Sequence, residues 1–168
     1  DTIGRTVMNC NNSALKAALN STQMAKITNQ YSIETVVKLD NVNKAQSIFA
    51  NTESAGISLE ISSTGRIEMW ARVGSAYQKV GETENFVLKA GQYYHLMGTY
   101  NGSQLALYVD GQKIATKNAS GAITYKNLPT YIGGDTNASG DIQAPIVGQI
   151  ALARLYSIGL SEEQVKNI

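Results

Sequence analysis

The sequence predicts an all-β antiparallel sandwich with one short helix at its C-terminal end. Three observations carry that prediction. Short runs alternate apolar and polar residues, and Gly-rich turns separate them at near-regular spacing. Between Gly98 and Gly111, the dipeptides Asn101-Gly102 and Asp110-Gly111 bracket the run Leu105-Ala106-Leu107-Tyr108-Val109. Both dipeptides readily take positive φ at the central positions of a tight turn, so three consecutive antiparallel strands follow from local chemistry. Helical periods are missing between the strands, and the hairpin turns are too short for parallel crossovers, which excludes an α/β fold.

Each element follows in order. Asp1 to Asn29 has no strict period; Asn11, Asn12, Asn20 and Ser21 closely bracket Ala14 to Leu19, so the arm reads as an edge strand plus loop. Tyr31 to Leu39 alternates, with Ile33, Thr35, Val37 and Leu39 on one face and Ser32, Glu34, Val36 and Lys38 on the other. Asp40 to Lys44 is a polar turn, and Gln46 to Ala50 a short strand. Ile57, Leu59 and Ile61 alternate with Ser58, Glu60 and Ser62. After Ser63-Thr64-Gly65, Ile67, Met69, Ala71 and Val73 alternate with Arg66, Glu68, Trp70 and Arg72. Gly74-Ser75 turns the chain into Ala76 to Val80; Phe86 to Leu88 and a loop over Lys89 to Gln92 follow. Thr130 to Ile132 precedes the Gly- and Asp-rich loop Gly133 to Asp141, and Val147 to Tyr156 is the last strand. Only the C-terminus signals helix. Ser161-Glu162-Glu163-Gln164 forms a capping box, and Leu160 with Val165 forms a hydrophobic staple.

The composition narrows the function classes. At 168 residues the chain fits one sandwich domain with a large core. Fourteen basic against thirteen acidic residues predict neither nucleic acid nor an anionic membrane as partner. Charged residues make up only 16%, and Asn, Ser, Thr and Gln replace them on an uncharged polar surface. The single Cys10 precludes an internal disulfide and reads as a small, partly buried residue. A eukaryotic secreted domain of this kind often carries a disulfide, so the expectation is a bacterial secreted or surface protein. Strings such as Asn101-Gly102-Ser103 fit the glycosylation pattern, but an Asn- and Ser-rich chain generates them by chance. No apolar run is long enough to cross a bilayer, and no signal peptide opens at Asp1; either one was removed or this is a domain excised from a longer protein, and excision is the expectation because an isolated sandwich with no catalytic group reads as an accessory module.

Tyr93-Tyr94-His95-Leu96-Met97-Gly98-Thr99-Tyr100-Asn101-Gly102, followed by Leu107-Tyr108-Val109-Asp110-Gly111, resembles the central signature of laminin-G-like domains in the concanavalin A-like lectin/glucanase superfamily. Tyr131-Ile132-Gly133-Gly134 resembles the preceding strand of the closing motif. Gly148 to Tyr156, with Gly159-Leu160-Ser161 and the short helix, resembles that closing motif itself. The resemblance covers roughly Tyr31 to the C-terminus. It implies a jelly-roll sandwich of two curved sheets with one concave outer face, as found in carbohydrate-binding modules, adhesion domains and accessory domains of secreted hydrolases. Two departures stand out. Ala151-Leu152 occupies the place of a common acidic pair, so the resemblance carries no calcium site onto that strand. Tyr93 stands where Trp is common.

Turn lengths then fix a register. A two-residue turn at Gly74-Ser75 sets Arg72 opposite Tyr77 and Trp70 opposite Lys79. A three-residue loop at Ser63 to Gly65 sets Glu60 opposite Glu68 and Ser58 opposite Trp70. Alternation places Ser58, Glu60, Glu68, Trp70, Arg72, Tyr77 and Lys79 on the outer face. An aromatic face takes the apolar side of a pyranose, and charged groups bind its hydroxyls, so these seven residues are the candidate glycan site. The alternatives are a loop or the N-terminal arm folded over Trp70, or Arg72 stacked on it as a cation–π pair.

Asp135, Asn137 and Asp141 are oxygen ligands at short spacing, suited to calcium. The alternatives are that they hydrogen-bond their own loop backbone, or that the loop, at one end of the sandwich, serves sugar binding without metal. Enzymatic function is not expected. No Glu-x-Asp-x-x-Glu pattern occurs, Glu82-Thr83-Glu84 lies in a turn, and His95 reads as structural. There is no phosphate-cradling Gly-Lys pair and no zinc spacing. The leading expectation is a non-catalytic, lectin-like module that binds a glycan or polysaccharide and tethers a covalently linked catalytic domain to it. The alternatives are a protein-interaction or spacer domain and, third, a glycoside hydrolase acting through Glu60 and Glu68.

Overall fold

The computed structural model describes residues 6–17, 19, 21–81 and 86–168; the Glu82-Thr83-Glu84 spacing lies outside the described residues. In chain order the elements are β1 (Met8–Asn11), β2 (Leu15–Ala17), α1 (Ser21–Ala25), β3 (Tyr31–Leu39), β4 (Gln46–Ala50), β5 (Ile57–Ile61), β6 (Ile67–Val73), β7 (Ala76–Val80), β8 (Tyr93–Tyr100), β9 (Gln104–Val109), β10 (Gln112–Asn118), β11 (Thr130–Ile132), β12 (Asp135–Thr136), β13 (Ile142–Gln143), β14 (Val147–Tyr156) and α2 (Glu162–Lys166). Sheet one has the order β1-β14-β3-β8-β9-β10 and sheet two the order β2-β11-β4-β5-β6-β7; every pairing is antiparallel. β12 and β13 form a separate two-stranded ribbon. Sequential hairpins build one half of each sheet, and long connections bring β14 and β11 between distant strands, as a jelly roll requires.

The core fills the space between the sheets. Ile33, Ile48, Ile57, Leu59, Ile61, Ile67, Met69 and Leu96 are fully buried there, each such side chain contributing about 1.5–3 kcal/mol. Tyr31 and Tyr100 pack with ring centroids 5.9 Å apart, and the Tyr100 hydroxyl donates to the Gly121 carbonyl at 2.6 Å. Gly98 lets the sheets approach, since a Cβ there would lie 2.9 Å from the Met69 sulfur.

The structure refines four sequence expectations. The N-terminal arm supplies two edge strands, β1 on sheet one and β2 on sheet two, and a helical turn follows at α1, so it ties both layers together. Phe86 to Leu88 is irregular, held by the Leu88 amide donating to the Gly65 carbonyl at 2.9 Å. The two hairpin dipeptides differ. Asp110 and Gly111 both take positive φ, whereas at Asn101-Gly102 only the glycine does. Asn101 instead accepts the Ser103 and Gln104 amides on its side-chain oxygen at 3.0 and 2.9 Å, which stabilises a longer loop. The stretch Gly133 to Asp141 is the start of the β12–β13 ribbon rather than a plain loop.

One bulge sets the outer face of sheet one. The β14–β3 register slips between Ile150 and Leu152, leaving Ala151 as the extra residue. Side-chain parity inverts there, so Ile150 points into the core while Arg154 and Tyr156 reach outward. Both contact Glu34, which also meets His95 Nε2 at 3.0 Å. His95 is thus a hydrogen-bonding structural residue. The capping box forms as expected, with Ser161 accepting from the Gln164 amide at 3.2 Å and Gln164 accepting from the Ser161 amide at 2.9 Å. Leu160 and Val165 bury against Met97, Ala106 and Tyr108, covering part of that face.

Candidate functional site

The β5–β6–β7 register is the one the turns dictate. Ser58 pairs with Trp70, Glu60 with Glu68, Trp70 with Lys79 and Arg72 with Tyr77. The loop at Ser63 to Gly65 closes with Gly65 at φ +75°, and Gly74 takes +59° in the next turn. Ile57, Leu59, Ile61, Ile67, Met69, Ala71 and Val73 are buried in the core, so all seven candidate glycan-site residues occupy the outer face of sheet two.

On that face the structure opens a cavity of about 320 Å³, lined by Ser47, Thr52, Glu60, Trp70, Tyr77, Asp135, Gln143 and Ala144. Three of the seven residues therefore line it directly. The other four organise its flank. Trp70 is half-buried; the Tyr77 ring stands edge-on to it at 6.2 Å, and Lys79 Nζ lies 4.8 Å from its ring centre. Arg72 stacks on Tyr77 at 5.2 Å, not on Trp70. Each cation thus covers the ring directly across the β6–β7 ladder. Glu68 is 7% exposed; it pairs with Lys79 at 3.3 Å and accepts from the Trp70 indole N–H at 3.4 Å. Ser58 is wholly buried; its hydroxyl makes no close hydrogen bond but lies near enough to Glu60 to lower that carboxyl. Neither a loop nor the N-terminal arm seals Trp70 among the described residues: the ribbon lines the cavity beside it, and the arm runs along the far edge of the sheet.

The ribbon is the part that sequence reasoning did not connect to Trp70. Asp135 Oδ1 accepts the Thr52 amide at 2.9 Å and the Thr136 amide at 2.7 Å, and its Oδ2 accepts the Thr52 hydroxyl. The Tyr77 hydroxyl donates to the Thr52 and Ala55 carbonyls, the latter at 2.9 Å. Ala144, at φ +42°, donates no glycine freedom yet holds a left-handed conformation, with its carbonyl accepting the Ser47 amide at 2.8 Å. These bonds clamp the ribbon onto β4 and draw Asp135 to the same cavity as Glu60.

Glu60 has the most perturbed electrostatics in this site. Burial pushes its carboxyl up to about 7 from 4.5, and the negative charges of Asp135 and Glu68 push the same way. The nearby Ser58 hydroxyl and the Lys79 charge offset only part of this. Glu60 makes no ion pair among the described residues. Burial also raises the Tyr77 hydroxyl.

Of the three candidate calcium ligands, Asp135 is engaged by Thr52 and Thr136. Asn137 Oδ1 accepts the Ser139 and Asp141 amides at 2.9 and 2.8 Å, and its amide contacts Asp141 at 3.4 Å. These oxygens serve loop and strand donors. Among the described residues no group of three or more His, Cys, Asp or Glu is placed to hold a metal.

Fold and cavity define a lectin-like sandwich with an aromatic and acidic pocket on one sheet face. A laminin-G model of the concanavalin A-like lectin/glucanases superfamily matches residues 11–166, and the chain belongs to that superfamily. No curated protein matches it in sequence. Among solved structures it is similar to the CBM40 of Ruminococcus gnavus IT-sialidase, with 17% identity, 95% of this chain and 96% of that chain covered, and a TM-score of 0.74. The same domain bound to α2,3-sialyllactose aligns at 15% identity over 96% and 97% of the two chains, with a TM-score of 0.69. It is also similar to the K499G mutant of NanB sialidase from Streptococcus pneumoniae, with 15% identity and a TM-score of 0.75 over 96% of this chain and 27% of that one. At these identities the likeness shows the shared sandwich.

Proposed function

We propose that this domain is a non-catalytic carbohydrate-binding module of a secreted or surface bacterial protein, and that it binds its glycan in the cavity beside Trp70. The observation that carries this reading is one cavity combining Trp70 and Tyr77 with the polar groups of Glu60, Asp135, Thr52 and Gln143. Aromatic rings bury the C–H face of a sugar, and carboxylates accept from its hydroxyls. The similarity to the R. gnavus CBM40, structures of which hold sialyllactose, supports a saccharide as ligand. A module of this kind raises the local concentration of a covalently linked catalytic domain at a polysaccharide, and the matched region of the NanB sialidase is 27% of a longer chain. No helix among the described residues is long and apolar enough to cross a membrane.

A hydrolytic role for Glu60 and Glu68 is disfavoured by the ion pair that ties Glu68 to Lys79 and by its absence from the cavity wall. The reading routes nothing through calcium. A glycan array followed by calorimetric titration with soluble oligosaccharides tests it. Trp70→Ala is expected to weaken binding at least about 30-fold, since stacking on an aromatic ring and its buried area are lost together, while the far-UV spectrum stays unchanged. Unaltered affinity in Trp70→Ala would remove the cavity from the argument. Silence across all glycans would favour a spacer or protein-interaction domain.

A further inference from the structure

We propose, resting on the glycan-binding reading, that the cavity beside Trp70 takes a sugar carrying a free amine and seats its ammonium between the Glu60 and Asp135 carboxylates. The wall of the cavity holds two acidic side chains and no cationic one. Of the cations on the same face, Lys79 pairs with Glu68 and lies over the Trp70 ring, Arg72 lies on Tyr77, and Arg66 donates to the Thr64 hydroxyl. The groups that face Glu60 are therefore Ser58 on its own strand, Glu68 and Trp70 on β6, Lys79 on β7, Ser47 on β4 and Asp135 on the ribbon.

Within that set Glu60 makes no ion pair, since Lys79, the one cation, is paired with Glu68. The carboxyl, buried beside two others, holds its proton to about pH 7 although the Ser58 hydroxyl and the Lys79 charge offset part of the shift, and a cationic donor brought from outside would offset more of it. Asp135, the other acid of the wall, is held in place by the Thr52 and Thr136 amides, so β5 and the ribbon each bring one acidic side chain to the cavity. An ammonium offers three N–H donors on one charge, enough to serve a carboxylate pair. A carboxylated sugar would instead add a third negative charge to an acidic, partly desolvated wall. An N-acetylated sugar would offer one N–H donor and no charge. At about 320 Å³ the cavity lies at the small end of ligand pockets, which suits a saccharide residue rather than a protein epitope.

The test is calorimetric titration of the intact domain at pH 6 with three soluble probes: a β-1,4-linked glucosamine trimer, its fully N-acetylated counterpart, and sialyllactose. The amine-bearing trimer is expected to bind at least about tenfold more tightly than the N-acetylated one, the scale of one added charge-assisted contact. Sialyllactose is expected to bind most weakly of the three. Glu60→Gln is expected to shrink the tenfold preference to less than about threefold. Equal affinities, or a preference for the acetylated or the carboxylated probe, would overturn the amine assignment while leaving glycan binding intact. A preference that survives Glu60→Gln would overturn the seat assigned to the ammonium. Failure of all three probes, together with a silent glycan array, would remove the broader reading as well.

Discussion

Replacing Glu60 by Gln should stabilise this domain, and only above the ordinary carboxylate range. The magnitude follows from the position of the side chain. Burial and the neighbouring Asp135 and Glu68 hold the folded-state carboxyl at about 7, against 4.5 when solvated. A carboxyl raised by that much is harder to ionise in the folded state by roughly 3 kcal/mol. The side chain retains some exposure, so screening reduces the expected figure to about 1.5–3 kcal/mol. The sign is that of a raised group. Its contribution to stability is fully present below pH 4.5, falls as pH rises from 4.5 to 7, and is gone above 7. Gln stays neutral throughout. The stability difference between Glu60→Gln and the parent should therefore rise by about 1.5–3 kcal/mol between pH 4.5 and 8, with nearly all of the change below pH 7.5. For a domain of 168 residues this corresponds to a change in the Tm difference of about 3–12 °C. Urea unfolding of both proteins at pH 4.5, 6, 7 and 8 reads it directly, because other titrating groups cancel in the difference. The exposed Glu163→Gln serves as the control and should stay within about 0.5 kcal/mol at every pH. A Glu60→Gln difference that is flat with pH, or that grows toward acid, would refute the picture of an uncompensated carboxyl in the cavity wall.

Two further substitutions probe the scaffold. Gly148→Ala, at φ +150° and with a Cβ that would lie 2.1 Å from the Lys38 carbonyl oxygen, should cost more than about 3 kcal/mol; a soluble variant with an unshifted urea midpoint would show that β14 can move away from β3. Ser161→Ala removes the hydroxyl that caps α2 and should lower stability by about 1 kcal/mol without changing the urea m-value; a loss below about 0.2 kcal/mol would mean that the Leu160 and Val165 contacts alone hold the helix.

The hairpin half of sheet two was legible because its determinants are local. Ser63-Thr64-Gly65 and Gly74-Ser75 are turns whose lengths alone set which residues face one another, and Trp70, Ser58 and Lys79 fall in line as counted. The same register identifies the cation on each ring. Lys79 is directly opposite Trp70, and Arg72 directly opposite Tyr77, so direct cross-strand neighbours prevailed over the same-face neighbour two residues away. What was not legible is the other wall of the cavity. Asp135 reaches Thr52 across 83 residues of sequence, and nothing in the local pattern of Gly133 to Asp141 announces that partner. The bulge at Ala151 was equally silent, since Gln149 to Tyr156 reads as one uninterrupted run until the pairing with β3 is seen. The sequence did mark Ala151-Leu152 as the place where the family pattern breaks, but as a lost acidic pair rather than as a change of parity.

Two glutamates on the outer faces of the two sheets, one buried and one half-buried, show where this molecule withholds stabilisation. Glu34 on β3 is surrounded by His95, Arg154 and Tyr156, two of them delivered by the bulge in β14, and its oxygens are satisfied within the protein. Glu60 on β5 occupies a comparable place on the opposite sheet and faces Asp135 and Glu68, with the Ser58 hydroxyl and the Lys79 charge offsetting only part of their effect. A sandwich that needed Glu60 only for structure would do better with Gln or Thr at that position, because a neutral side chain carries no ionisation penalty. Leu160 and α2 cover part of the Glu34 face, and the cavity that remains there is lined by Glu34 together with the cationic Arg154 and Lys166, whereas the cavity beside Glu60 has two aromatic rings and no cationic side chain in its wall. A carboxyl without an ion pair beside half-buried aromatic rings, on one face and not the other, is what a ligand-facing surface requires: the missing partner has to arrive with the ligand.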